Sequence, residues 1–221
     1  MEDPIKWPPV FEELRPSLQD NQSMSPAITV APFLKEGLSL SNALTPEECK
    51  AIVSLTESKG YQDASQYCYM YNDRYNDRYM SDDPKLSEFI WDRLKPYIPA
   101  RVEAFDAQWS LEGLNTRFRF CKYVSGHYFG AHTDGIYTIN SDHKSILTCM
   151  FYLNGTDEFE GGLTNFITHK TRKLKHSVTP EPGLCVIFPQ ANLDFYHEGT
   201  KVTSGVKYIM RTDVMYKRIT S

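Results

Sequence analysis

The chain has 221 residues, with 24 Lys and Arg against 28 Asp and Glu and a formal net charge of -4. That length can bury a sizeable core in one all-β or α+β domain. The acidic balance argues against a dedicated nucleic-acid binder, and no apolar run is long enough for a membrane helix.

The first residues, "MEDPIKWPPVFEEL", show neither a charged n-region nor an apolar h-region, so a cytoplasmic or nuclear location is expected. Five cysteines are odd in number and lack Cys-x-x-Cys spacing. Cys149 and Cys185 lie inside the apolar runs "LTCMFYL" and "GLCVIF" and read as buried thiols of a reducing compartment.

Residues 1–30 carry Pro4, Pro8, Pro9, Pro16 and Pro26 among polar residues without periodicity, which predicts an extended arm docked through Trp7 and Phe11. Residues 31–221 then read as one domain. In "ALTPEECKAIVSLTESKG" Thr45 is an N-cap, Pro46 the first helical residue, Glu48 the capping-box partner and Gly60 the stop. Cys49, Ile52, Val53 and Thr56 form its buried stripe.

A second helix follows in "SDDPKLSEFIWDRLKPYIP", with Leu86, Phe89, Ile90 and Leu94 turned inward and Pro96 and Pro99 ending it. Residues 45–110 are thus expected as helical support. The echo "YNDRYNDRY" is too short for a repeat unit.

From Asn115 the pattern becomes that of strands. "TRFRFCKYV", "SILTCMFYLN", "GGLTNFI", "GLCVIFP" and "VKYIMRTDVMY" are β-branched and aromatic runs separated by Gly, Pro, Asn and Asp. Helices first and strands later imply an α+β fold, with a double-stranded β-helix (jelly-roll) core over 115–217 buttressed by the N-terminal helices. Strands apolar on both faces suit a sheet that meets helices on one side and lines a pocket on the other.

The stretch "GHYFGAHTDGIY" holds His132 and Asp134 two apart, a spacing that turns both the same way at a strand end. Alone, the pair is equally a loop's polar decoration. His197 in "NLDFYHEGTKV" adds a second imidazole after another strand, and two imidazoles with one carboxylate make the facial set of non-haem Fe(II) oxygenases. The same donors could hold Zn(II) with a bound water. His127 could line the pocket, whereas His143, His169 and His176 sit in polar stretches and read as solvated.

Ten residues past His197, "GVKYIMRTDVMY" places Lys207 and Arg211 four apart on one face of a strand. A cation inside a barrel needs an anion, either a dicarboxylate ligand or a barrel carboxylate such as Asp213.

The ordered blocks "YVSGHYFGAHTDG", "LTCMFYLN", "FEGGLTNF", "PEPGLCVIFPQ" and "HEGTKVTSGVKY" resemble those of 2-oxoglutarate and Fe(II)-dependent dioxygenases, in the prolyl 4-hydroxylase-like branch, over Asn115 to Tyr216. The resemblance implies Fe(II) on His132, Asp134 and His197, and 2-oxoglutarate anchored by Lys207, with Arg211 able to share that role. Tyr123, Tyr152 and Thr164 match positions lining the cosubstrate pocket.

It also implies an O2-dependent hydroxylase that releases succinate and CO2 and admits L-ascorbate as a ligand. The expected acceptor is a prolyl residue in a protein or peptide, or an amino-acid-like small molecule. A non-catalytic sensor module and an oxygenase of secondary metabolites are the alternatives. Arg74 and Arg78 in "QYCYMYNDRYNDRYMSDD", with His127 and Tyr128, are the substrate-side candidates. After Arg211 only Arg218 follows, which lacks the paired arginines of nucleic-acid oxygenases.

Overall fold

The computed structural model describes residues 7–20, 26–64 and 74–220. Its helices are α1 (Phe11–Asp20), α2 (Pro46–Lys59) and α3 (Pro84–Leu94). The strands before the barrel are β1 (Thr29–Phe33), β2 (Gly37–Ser41), β3 (Gln62–Asp63), β4 (Arg74–Tyr75), β5 (Asp77–Asp82), β6 (Arg101–Ala104) and β7 (Ala107–Leu114). Then come β8 (Arg117–Val124), β9 (Tyr128–His132), β10 (Thr138–Asn140), β11 (His143–Tyr152), β12 (Phe159–Gly161) and β13 (Thr164–Ile167). The last are β14 (Leu174–Val178), β15 (Cys185–Pro189), β16 (His197–Gly199) and β17 (Val202–Arg218).

Capping chemistry starts the supporting helices where the sequence predicts. The Thr45 hydroxyl accepts from Glu48 N at 3.1 Å and the Glu48 carboxylate accepts from Thr45 N at 2.8 Å. Glu48 is fully buried, and Arg93 of α3 forks onto its two oxygens at 2.6 and 2.7 Å, so one carboxylate both caps α2 and ties it to α3. Gly60 ends α2 with φ 84, a left-handed conformation that favours glycine.

Asp83 caps α3 through Leu86 N at 3.0 Å, and its other oxygen accepts from Val10 N and Phe11 N at 2.7 and 2.6 Å.

That second role corrects the expected extended arm. Residues 11–20 are the helix α1, running through Pro16. Val10, Leu14 and Leu18 are spaced by four and buried, so the gain from burying one apolar stripe outweighs the hydrogen bond that Pro16 removes. Trp7 and Phe11 do dock: Trp7 N donates to Asp82, and Phe11 packs 5.8 Å from Phe89. The helical support is also shorter than 45–110. It ends at Tyr97, and residues 101–114 form the antiparallel hairpin β6–β7, which buries Trp109 and, beyond a register shift against β17 between Leu111 and Gly113, Leu114.

Two sheets face one another. The larger runs β1-β2-β15-β11-β17-β8-β5-β3, with β6, β7, β10 and β12 attached, and the smaller runs β14-β13-β16-β9-β4. From β8 to β17 the chain passes repeatedly between them, which is the winding of a double-stranded β-helix.

Period-two alternation sorts the side chains. Phe118 and Phe120 of β8, Cys149 and Phe151 of β11, and Met210 and Val214 of β17 join the helices in one core. Tyr123, Met150, Tyr152 and Ile209 turn the other way, into the space between the sheets. Cys149 and Cys185 are buried free thiols, as expected, while Cys68 lies outside the described residues. Among the described residues no helix is long and apolar enough to cross a membrane.

Candidate metal centre

The smaller sheet brings the histidines together. His132 closes β9, His197 opens β16, and the two are register partners across the antiparallel pair. Asp134 follows two residues later. One donor atom from each of the three lies within 4.8 Å of the others, and all three residues are buried.

The hydrogen bonds set the donor atoms. His132 Nδ1 bonds Gly130 O at 2.8 Å and His197 Nδ1 bonds Phe195 O at 2.9 Å. A carbonyl oxygen only accepts, so each Nδ1 donates a proton to it and each Nε2 is the ring nitrogen turned to the centre. Those Nε2 atoms stand 3.4 and 4.0 Å from Asp134 oxygens. Burial, reinforced by His132, pulls the His197 pKa down to about 4, so this ring is an unprotonated donor at neutral pH.

Asp134 is held by Thr148 Oγ1, which donates at 2.6 Å, and by Arg211 Nη1 at 2.7 Å. Burial works against its charge, but the Arg211 guanidinium beside it keeps it well below the usual carboxylate range. Two imidazole Nε2 atoms and one ionised carboxylate, oriented from behind, suit a divalent metal ion with positions left for other ligands. Phe129 stacks on His132 at 3.7 Å, and Phe188 meets His197 edge-on at 5.0 Å, giving the centre apolar walls.

A cavity of about 200 Å³ opens beside these donors. Lys207 and Tyr123 are register partners on β17 and β8, and both line it. Lys207 is 4 % exposed, its Nζ donates to Gly162 O at 2.5 Å, and it lies over the rings of Tyr152 and Tyr123 at 5.3 and 5.7 Å. No carboxylate among the described residues pairs with it, and burial lowers its pKa to about 7.

Arg211 differs. Its guanidinium reaches Asp134 at 2.7 Å and Asp213 at 3.4 Å, and these acids hold its pKa up against burial. Asp213 also accepts from Gln190 at 2.9 Å, Arg119 at 3.1 Å and Asn115 at 3.2 Å. Of these two, Lys207 is the cation without an anion among the described residues.

The remaining predicted residues divide. Thr164, Arg74 and Arg78 line the cavity. Tyr152 lies behind it, donating its hydroxyl to Thr164 Oγ1 at 2.7 Å. Tyr128 turns away from Phe129 by strand alternation and packs on Tyr75 at 5.3 Å, and neither it nor His127 lines the cavity. His169 is exposed, whereas His143 and His176 are half-buried, against Glu112 and Phe33.

Sequence reasoning missed Arg119, Cys121, Phe129 and Met150. Stepping back by two from Tyr123 gives Cys121 and Arg119, a signal present in "TRFRFCKYV".

Residues 118–212 match the sequence model of the family described as the 2OG-Fe(II) oxygenase superfamily. A PKHD-type hydroxylase of Xylella fastidiosa (strain M23) is 32% identical over 97 residues, a stretch covering 40% of this chain and 40% of the relative's own length.

Solved structures of like fold include a viral collagen prolyl hydroxylase from Paramecium Bursaria Chlorella virus-1, at 20% identity and TM-score 0.57, covering 83% of this chain and 97% of that one. A prolyl-4-hydroxylase of Pseudomonas putida is 13% identical at TM-score 0.55, covering 94% and 100%. A Trichoplax adhaerens prolyl hydroxylase in complex with a hypoxia inducible factor peptide fragment is 13% identical at 0.58, covering 92% and 89%. Residues 118–212, which carry His132, Asp134 and His197, are thus similar to the 2OG-Fe(II) oxygenase superfamily, and the barrel shares its fold with these prolyl hydroxylase structures.

Proposed function

We propose that the chain is a 2-oxoglutarate- and O2-dependent hydroxylase that acts on an unactivated C–H bond, releasing succinate and CO2. The single observation that carries this reading is one cavity holding both the His132, Asp134 and His197 donors and the buried, anion-free ammonium of Lys207. Bound to those donors, Fe(II) would supply the O2 activation and oxidative decarboxylation that the side chains cannot perform.

The chain's own residues supply geometry. The Nε2 atoms of His132 and His197 and the Asp134 carboxylate would take one side of the ion. Thr148 and Arg211 fix the carboxylate from behind. Lys207 would hold the distal carboxylate of 2-oxoglutarate, with Thr164 and Tyr123 beside it. Arg211 is already committed to Asp134 and Asp213, which favours Lys207 for that task. Phe129 and Phe188 keep water from the centre.

A zinc hydrolase would use the same three donors and leave Lys207 without a purpose. The acceptor is a prolyl residue of a protein or peptide, or an amino-acid-like small molecule. L-ascorbate serves as the reductant that keeps the metal ferrous.

The test is conversion of 2-oxoglutarate to succinate under O2, with mass analysis of acceptors for one added oxygen. Wild type should turn over, and His132→Ala and Asp134→Ala should not. A variant retaining the wild-type rate refutes the proposal.

A further inference from the structure

Among the described residues five cations line the cavity, Arg74, Arg78, Arg119, Lys207 and Arg211, against the one carboxylate of Asp134. A divalent metal and a dicarboxylate cosubstrate cancel in charge, so filling the centre as proposed above leaves the surplus in place.

Most of these cations have a use. Arg211 is paired with Asp134 and Asp213, Arg119 shares Asp213, and Lys207 awaits the cosubstrate. Arg74 is bonded to the Asn76 side-chain oxygen, lies 3.7 Å from Cys121 Sγ and covers the Phe129 ring at 4.4 Å.

Arg78 remains. Its Nε is closed to solvent and has neither an acceptor nor a pairing carboxylate among the described residues. Its place in the fold is informative. β4 is the edge of the smaller sheet and β5 lies towards the edge of the larger one, so Arg74 and Arg78 face the cavity from the corner where the chain crosses between sheets. Arg74 is the register partner of Phe129, which stacks on His132, and Arg78 is the partner of Cys121.

A half-buried guanidinium whose Nε is closed to solvent and which stands beside a like charge costs free energy unless a ligand brings the anion. An internal peptide carbonyl brings no charge, and a cavity of about 200 Å³ that must also hold the cosubstrate favours a compact anion. A carboxylate matches the planar guanidinium fork.

We propose that Arg78, with Arg74 beside it, is the specificity determinant of this site and binds a carboxylate of the acceptor. The acceptor is then a free amino acid or a chain-terminal residue rather than an internal peptide residue. This rests on the reading of the metal centre given above and narrows its substrate class.

The test keeps the Fe(II)-loaded chain under nitrogen, saturated with 2-oxoglutarate as judged by the visible charge-transfer absorption of the complex. N-acetylglycine, N-acetylproline and N-acetylleucine are then titrated by calorimetry, each beside its C-terminal amide, which has nearly the same shape without the charge. At least one acid should bind about tenfold or more tightly than its amide. Arg78→Gln should abolish that preference, and Arg78→Lys should keep part of it.

Acids and amides binding alike, no acid binding at all, or a preference that survives Arg78→Gln would overturn the proposal. The wild-type comparison decides it even where a variant fails to fold. Absence of the charge-transfer absorption would instead sink the reading of the metal centre, and this proposal with it.

Discussion

Replacing Lys207 by Met keeps the length of the stem and removes the charge, which separates the two tasks of this residue. In the ligand-free protein the ammonium is a burden. Its pKa falls from 10.5 to about 7 on burial, so the folded chain binds fewer protons than the unfolded chain between those values. Stability therefore rises with pH from about 7 to 10.5. Below that window the buried charge costs on the order of 5 kcal/mol.

Lys207→Met should lose this rise and be the more stable protein at pH 6 to about 7, as read by urea unfolding at several pH values. For 2-oxoglutarate the sign reverses. Removing one partner of a buried charge pair costs about 2–5 kcal/mol, or about 30-fold to several thousand-fold in Kd. Wild-type affinity should fall by up to about tenfold per pH unit above pH 7, because binding then requires a proton, and the variant should show no such slope. The assay is anaerobic titration of the Fe(II) protein. A Lys207→Met protein that binds 2-oxoglutarate within about threefold of wild type refutes the reasoning and moves the anchor to Arg211.

Three further outcomes are expected. Gly162→Ala puts a Cβ 3.1 Å from Lys207 Cδ and 3.0 Å from Phe159 at a φ of +62, and should cost about 1–2 kcal/mol in urea unfolding while weakening 2-oxoglutarate binding. Thr148→Val removes the 2.6 Å hydrogen bond to Asp134 and should weaken metal binding about 10- to 100-fold in a competition titration with a chelator. Arg93→Ala strands the fully buried Glu48 without its guanidinium and should cost about 3–5 kcal/mol, visible as a lower urea midpoint with unchanged slope.

What could be read from the sequence follows the range of the interactions. Thr45, Glu48 and Gly60 act on their own backbone within a few residues, so α2 was legible in full. His132, Asp134 and His197 were legible because strand alternation and the order of the blocks carry across the barrel.

Helix α1 was not, since its proline content hides the Val10, Leu14 and Leu18 spacing and its start depends on Asp83, more than 70 residues away. The fate of Arg211 was half hidden. Asp213 lies two residues on along the same strand and could be named from alternation, whereas the 2.7 Å contact with Asp134 crosses between the sheets and no local pattern records it. Tyr128 and Phe129 are adjacent aromatics on one strand, and only the register with β4 and β16 decides which of them enters the cavity.

The most direct measurement is a crystal structure of the protein with Mn(II) in place of Fe(II) and N-oxalylglycine in place of 2-oxoglutarate. The metal should sit on Nε2 of His132, Nε2 of His197 and the Asp134 carboxylate, with the distal carboxylate of the mimic on Lys207 Nζ. A metal bound elsewhere, or a distal carboxylate seated on another cation, would contradict the account.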